Sequence, residues 1–534
     1  MQKNNSISEP IFNQLSTLWI FLGAVLFSIF VHSKNGMDSS WDTTNYHVFI
    51  GWAATNFKGY EFGAVAQYHT YLNPLIDVMN FLAFEKSAYI GAAIHSWFYA
   101  TTTYIVYKIL KLFFTDATQD RALLAAGLVI SCTGAMTLSL LGSWTNENIN
   151  AVPVLLGLLL LLHSIRSENL RFYFLSGVVF GIALGLKLTA AHYFVGAIAA
   201  IAATTRFKIK FLLLALIGFV LGYFAIDGYF MYLRWETVSN PLFPLANNFF
   251  KSPYFPESWK SFGHFEVTQM LDYLSLPITW LYSGKFSEIS SIRDGRFLIA
   301  YFGIFFIGLS FVFKHSIEKI EWALVIFFVG SFLAWIFVFR TYRYLVSLEM
   351  ISGVLFVVGI KNILGEKRIV LKFSVIAISS IFLVTVTTYP NWGRRDWSLN
   401  FTSSNIANLI ENKRSSIVFL SDQNLSYLAP ILYKNNVTFA NLYSQSWWDG
   451  VRASSIEDPD ATTDPKTITL ENYKNVYFLQ KSRSDLRSKS KHLSNIYSGK
   501  YFYCVKVKTN MAWQNPYLCA YKQIDEMPVP IQHS

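Results

Sequence analysis

L-S-T-L-W-I-F-L-G-A-V-L-F-S-I-F-V (Leu15–Val31) gives way to D-S-S-W-D-T-T-N-Y-H-V-F (Asp38–Phe49) and then to Q-Y-H-T-Y-L-N-P-L-I-D (Gln67–Asp77). A chain needs about 20 largely apolar residues to cross a hydrocarbon core ~30 Å thick. The first run meets that need. It has no basic leader and no small-x-small cleavage pattern, so it reads as a retained helix rather than a signal peptide. The second and third runs are too polar to follow it into lipid. They hold carboxylates, histidines, amides and aromatic rings beside a membrane surface.

Outward from this loop the apolar windows recur. With 53% hydrophobic and only 14% charged residues, the 534-residue chain is too apolar for an ordinary soluble protein. We read eleven spans, at 15–32, 88–113, 121–141, 149–164, 172–187, 189–204, 210–232, 297–313, 320–339, 344–361 and 370–388. The fold class expected is therefore an α-helical polytopic membrane protein with a small C-terminal α/β domain. The net charge of +11 is carried mostly between spans. Membrane topology explains it better than nucleic acid, and no nucleic-acid partner is expected. Lys108, Lys111, Arg121, Arg166, Arg171, Arg206, Lys208, Lys314, Lys319, Lys361 and Arg368 share one face if the N-terminus is cytoplasmic. The weak point of the count is the pair of short runs meeting at Lys187.

On this reading the segments 33–87, 142–148 and 233–296 face outward from a membrane domain spanning 1–390. Residues 391–534 form an extracytoplasmic domain. Ser416–Ser421, Val437–Leu442 and Asn475–Leu479 read as short strands in it. Cys504 and Cys519 flank two alternating runs that suit a disulfide-bridged hairpin, with unpaired thiols as the alternative. High Lys, Asn, Ile and Ser usage leans bacterial, which places the protein in an inner membrane.

Asp42 is the first chemical candidate. Asn45, Tyr46 and His47 follow within two helical turns and could orient a hydroxylated substrate, while Asp42 removes its proton. A helix cap is the plainer use of such an aspartate. Asp38 is the weaker candidate. Glu147, in T-N-E-N, is a second acid from another outer loop. Lys187 sits at an apolar junction where a cation is costly, so it either serves a lipid phosphate or snorkels. Arg340, Arg343 and Tyr344 lie at the outer end of two spans, and Arg293, Asp294 and Arg296 precede another. Guanidinium forks match phosphate oxygens, although anchoring at the interface is the alternative. Asn240–Pro256 is rich in Pro, Asn and aromatics, as an interfacial belt would be. No glycine-rich phosphate loop, H-E-x-x-H or G-x-S-x-G occurs, so ATP-driven transport and serine hydrolysis have no support.

These stretches resemble a family, the GT-C superfamily of polytopic membrane glycosyltransferases, and within it a little-characterised bacterial branch. The resemblance rests on W-D-T-T-N-Y-H (Trp41–His47), Q-Y-H-T-Y-L-N-P-L-I-D (Gln67–Asp77) and G-L-K-L-T (Gly185–Thr189). It continues in N-P-L-F-P (Asn240–Pro244), K-S-P-Y-F (Lys251–Phe255), D-G-R-F (Asp294–Phe297) and R-Y-L (Arg343–Leu345). It implies a polyprenyl-phosphate sugar donor and a glycan, lipid or protein acceptor, with inverting transfer on the outer face of the membrane. Asp42 would be the base and Glu147 its assistant. Lys187, Arg296, Arg340, Arg343 and Tyr344 would serve the donor, and Asn45, Tyr46, His47, Gln67, Tyr71 and Asn73 would line the substrate site. The first loop has no D-x-D, so a divalent metal is not supported by motif and no cofactor is assigned. A flippase or transporter for lipid-linked glycans is the second reading. It predicts ionisable pairs inside the spans, which apart from Lys187 and Asp227 read as nearly uncharged. A non-catalytic assembly protein is the third.

Overall fold

The computed structural model describes residues 8–56, 65–114, 121–255, 257, 270–284, 287–314, 317–365, 368–420, 425–441, 474–481, 501–511 and 515–522. Parts of the expected outer segments and tail lie outside these. The helices in chain order are α1 (Ser8–Asn35), α2 (Val48–Asn56), α3 (Leu75–Lys86), α4 (Ala88–Phe113), α5 (Arg121–Cys132), α6 (Ala135–Ser139) and α7 (Glu147–Ser167). There follow α8 (Leu170–Leu186), α9 (Ala191–Thr204), α10 (Ile209–Val238) and the short α11 (Asn247–Phe250), α12 (Met270–Leu274) and α13 (Leu276–Thr279). Then come α14 (Arg296–Lys314), α15 (Lys319–Val338), α16 (Val346–Leu364) and α17 (Ile369–Val386).

Ten of the eleven predicted spans fall largely on one continuous helical stretch, but among the described residues six helices are long and apolar enough to cross a membrane by length and composition: α1, α7, α10, α14, α15 and the stretch Tyr342–Leu364. The apolar helices α5, α8, α9 and Val370–Val386 are shorter. The predicted span 121–141 is not one helix. It breaks after Cys132, and the short α6 is held end-on by carboxylates.

Those carboxylates come from Asp294 and Glu349. Asp294 accepts from the Ala135 N–H at 2.7 Å, and Glu349 accepts from the Thr137 N–H at 2.9 Å and the Thr137 hydroxyl at 2.6 Å. Arg296 pairs with Asp294 at 2.9 Å and donates to the carbonyls of Ile130 and Thr133. A buried cation thus ties off the end of α5, and the Arg296 guanidinium is engaged by Asp294 and these carbonyls. Glu349 also corrects the expectation of nearly uncharged spans, since it is fully buried within α16. A Cβ on Gly134 would sit 1.7 Å from Glu349 Oε1. We therefore expect Gly134→Ala to destabilise the protein by several kcal/mol, because it displaces a buried, hydrogen-bonded carboxylate. A thermal-unfolding scan in lipid would read the loss.

Every residue from Val346 to Ile360 is buried, and α4, α5, α7, α14 and α15 pack around that helix. Helix α10 shows most of its apolar surface and packs on α8 through small residues. Gly177 and Gly181 of α8 meet carbonyls of α10, while Gly218 and Gly222 of α10 meet carbonyls of α8. Such close backbone approach holds helices together in lipid, where apolar burial between them gains little.

The tail forms a five-stranded sheet, β1 (Ser416–Leu420), β2 (Thr438–Asn441), β3 (Asn475–Gln480), β4 (Tyr501–Lys506) and β5 (Tyr517–Lys522), in the order β2-β1-β3-β5-β4. β1 runs parallel to β2 and β3, whereas β5 is antiparallel to β3 and β4. Cys504 and Cys519 lie opposite each other on β4 and β5 and are disulfide-bonded, as the hairpin reading expected. The sheet shares a hydrophobic core with α2, where Trp52 meets Tyr433 and Phe439. The segment after α17 returns to the first loop. Met37 and Arg395 exchange backbone hydrogen bonds of 2.7 and 2.9 Å, and Arg394 donates to the carbonyls of Ser139 and Leu141. Gly36, at φ +80° with the Arg395 carbonyl 2.2 Å from where a Cβ would lie, permits this crossing.

Candidate functional site

Four helix termini converge near this crossing. Asp42 follows α1 and opens a π-helical turn, Thr43–His47. Such turns are rare and recur at functional sites. Glu147 is the first residue of α7, after Asn146 in the left-handed conformation at φ 72°. Lys187 ends α8 in an extended conformation, and Arg343 lies in the turn before α16.

Their side chains form one ionic cluster. Arg343 Nη1 donates to Asp42 Oδ2. Lys187 Nζ donates to Glu147 Oε1 at 2.6 Å and to the Thr145 carbonyl. Arg343 Nε stands 3.5 Å from Glu147 Oε1 and 3.0 Å from Glu288 Oε2. Neither approach is aligned as a hydrogen bond, so Glu288 and Glu147 meet the Arg343 Nε as ion pairs only. The Tyr344 ring lies 5.3 Å from the Arg343 guanidinium and 5.6 Å from Lys187 Nζ.

Beside the cluster is a cavity of about 390 Å³ between the first loop, the 287–289 turn and the segment after α17. Asp42, Trp41, Thr145, Glu288, Arg343 and Asn391 line it. A far smaller void of about 20 Å³ lies on the Lys187, Glu147 and Tyr344 side. Burial would push the Asp42 carboxyl up, but Arg343 and then His47 outweigh it and hold the group down at about 2. Asp42 is therefore ionised at neutral pH. Among the described residues its Oδ2 alone is hydrogen-bonded, leaving Oδ1 available. Glu288 behaves oppositely, because burial pushes it up to about 7 against the pull of Arg343. Its side chain is 25% exposed, toward the cavity.

Around Asp42 the aromatic residues stack. His69 is sandwiched between Tyr46, at 4.4 Å and 8°, and Tyr68, at 3.9 Å, with Trp41 edge-on at 5.7 Å. Burial lowers His69 to about 3, so it stays neutral. His47 pairs with Asp77 at 2.7 Å, Asn146 donates to the same Asp77 oxygen, and Asn45 donates to Gln67 at 3.4 Å.

Five residues expected at the site are brought together: Asp42, Glu147, Lys187, Arg343 and Tyr344. Asn45, Tyr46, His47 and Gln67 form the shell behind Asp42. The rest lie elsewhere. Tyr71 packs on Phe243 and offers its carbonyl to Arg234, and Asn73 donates to Asp227 on α10. Arg340 lies over the Tyr273 ring and donates to the Ile336 carbonyl. Asp38, fully buried, accepts from Ser40, Thr43, Ser143 and Trp144, and so holds the loop after α1 to the loop before α7. Glu288, Asp77, His69 and Trp41 were not singled out from sequence. Asp77 and Trp41 sit inside quoted motifs, whereas F-S-E-I-S-S around Glu288 carries no local signal.

Among the described residues no group of three or more His, Cys, Asp or Glu side chains is arranged to hold a metal ion. No protein-family model matches the chain, and no curated protein matches its sequence.

Proposed function

We propose that the chain is a polytopic membrane glycosyltransferase of the GT-C type, with eleven spans, its N-terminus cytoplasmic and its sheet domain outside a bacterial inner membrane. It moves a sugar from a polyprenyl-phosphate donor to an acceptor hydroxyl. The observation that carries this reading is the meeting of an available carboxylate, Asp42, with the Arg343 guanidinium on one cavity among helix termini, backed by Lys187 on the smaller void that Arg343 also lines. Such transfer needs a base on the acceptor and positive charge on the leaving phosphate. The acceptor hydroxyl donates to Asp42 Oδ1, and its oxygen attacks the anomeric carbon from the face opposite the phosphate. The anomeric C–O bond breaks, its electron pair leaves on the lipid phosphate beside Arg343 and Lys187, and the proton ends on Asp42. Glu147 keeps Lys187 in place.

The flippase reading expects a polar path through the spans. Buried ionic groups within helices such as Glu349 and the Asp227–Arg234 pair are instead engaged by hydrogen bonds that tie segments together.

The test is turnover by the purified protein in lipid, with a panel of polyprenyl-phosphate sugars and with or without chelator. Release of lipid phosphate from one donor is expected, unchanged by chelator, since Arg343 and Lys187 supply the positive charge. Binding of lipid with no turnover of any donor would favour an assembly role, and loss of turnover in chelator would put a metal at the carboxylates.

A further inference from the structure

The cluster holds three carboxylates, Asp42, Glu147 and Glu288, against two cations, Arg343 and Lys187. With all five ionised it carries one negative charge in excess, and an anionic lipid would add another. Like charges at this spacing repel strongly away from bulk water. One carboxylate must therefore yield before a phosphodiester can approach Arg343.

Position singles out which one. Asp42 is hydrogen-bonded to Arg343 from a helical turn, and Glu147 is pinned by Lys187 at the start of α7. Glu288 belongs to an irregular turn, contacts Arg343 by proximity without an aligned hydrogen bond, and borders the cavity. The groups facing it are Arg343 and Tyr344 before α16, Asp42 in the first loop, Glu147 on α7 and Lys187 after α8.

We propose that Glu288 is a proton-linked gate on the anion site: it occupies the Arg343 guanidinium in the present arrangement, and a phosphodiester enters with uptake of a proton at Glu288 and its withdrawal from that cation. This rests on the glycosyltransferase reading for the identity of the anion, and it adds a pH dependence to binding. The direction follows from linkage. Burial opposes the charge of Glu288 and pushes its carboxyl up to about 7. Below that pH it is already neutral and binding is at its plateau. Above it each molecule bound must take up a proton, so affinity falls by up to ~10-fold per pH unit.

The probe is undecaprenyl methyl phosphate, a diester whose single charge does not change between pH 6 and 9, titrated against the full chain in nanodiscs. For the wild type we expect binding to weaken by at least ~10-fold between pH 6 and 8.5. Glu288→Gln and Glu288→Ala should bind equally at both values, and at pH 8.5 more tightly than wild type. The same pH dependence in wild type and both variants would overturn the gate and point to another titrating group. A flat wild-type profile would overturn it as well. Failure of the wild type to bind the diester at either pH would remove the lipid-phosphate reading itself, a result distinct from the other two.

Discussion

Asp42→Asn should lower sugar transfer by ~100-fold or more while leaving binding of the lipid-phosphate donor intact or tighter. The first part is the scale expected for losing a positioned base. The second follows from the surroundings. Asparagine keeps the size of the side chain and can still face Arg343, so the guanidinium is not stranded. Yet it removes one of the three carboxylates that oppose an anion at this site. A residue that only held the fold together would move stability and binding in the same, unfavourable direction. The measurement is therefore paired: turnover and donor affinity on one preparation, with a melting curve beside them. Full activity in Asp42→Asn would place the base elsewhere, and a parallel loss of affinity and melting temperature would make Asp42 structural. Because Arg343 and His47 hold Asp42 at about 2, no loss of activity by protonation of this group is expected between pH 5 and 8.

Much of the helical part was legible because hydropathy is a local property. Ten of the eleven apolar windows fall largely on continuous helix, and the alternating runs flanking Cys504 and Cys519 give the bonded hairpin. What misled was counting apolar length without asking what ends a helix. The run 121–141 is largely apolar, but Gly134 lets the chain turn under Asp294 and Glu349, which come from positions far along the sequence. The same distance limit governs the site. Asp42, Glu147, Lys187 and Arg343 could be picked out singly, because charge beside an apolar run is conspicuous. Nothing local separates Arg343, which reaches Asp42, from Arg340 three residues earlier, which turns to Tyr273. Glu288 was missed for that reason. An acid in a polar outer loop is unremarkable until folding sets it against a guanidinium.

Arg343 is where the site and the fold cannot be separated, and its two substitutions should diverge. Arg343→Ala leaves Asp42, Glu147 and Glu288 facing one another with Lys187 alone to balance them. Removing one partner of a buried ion pair costs about 3–5 kcal/mol, so a melting temperature lower by several degrees or more is expected. Donor affinity should also fall by ~10- to 150-fold, the worth of a charged hydrogen bond. Arg343→Lys keeps the positive charge but offers a point rather than a fork, so it cannot hold Asp42 and a phosphate oxygen together. It should recover most of the stability and little of the turnover. If instead the lysine variant restored activity with stability, the guanidinium would be acting only as a counter-charge to the carboxylates, and the leaving phosphate would have to rest on Lys187. If the alanine variant melted normally, the cluster would be wet enough for water to replace the cation. The burial of Asp42, Glu147 and Arg343, each less than a tenth exposed, argues against that and makes the single guanidinium consequential for binding and folding alike.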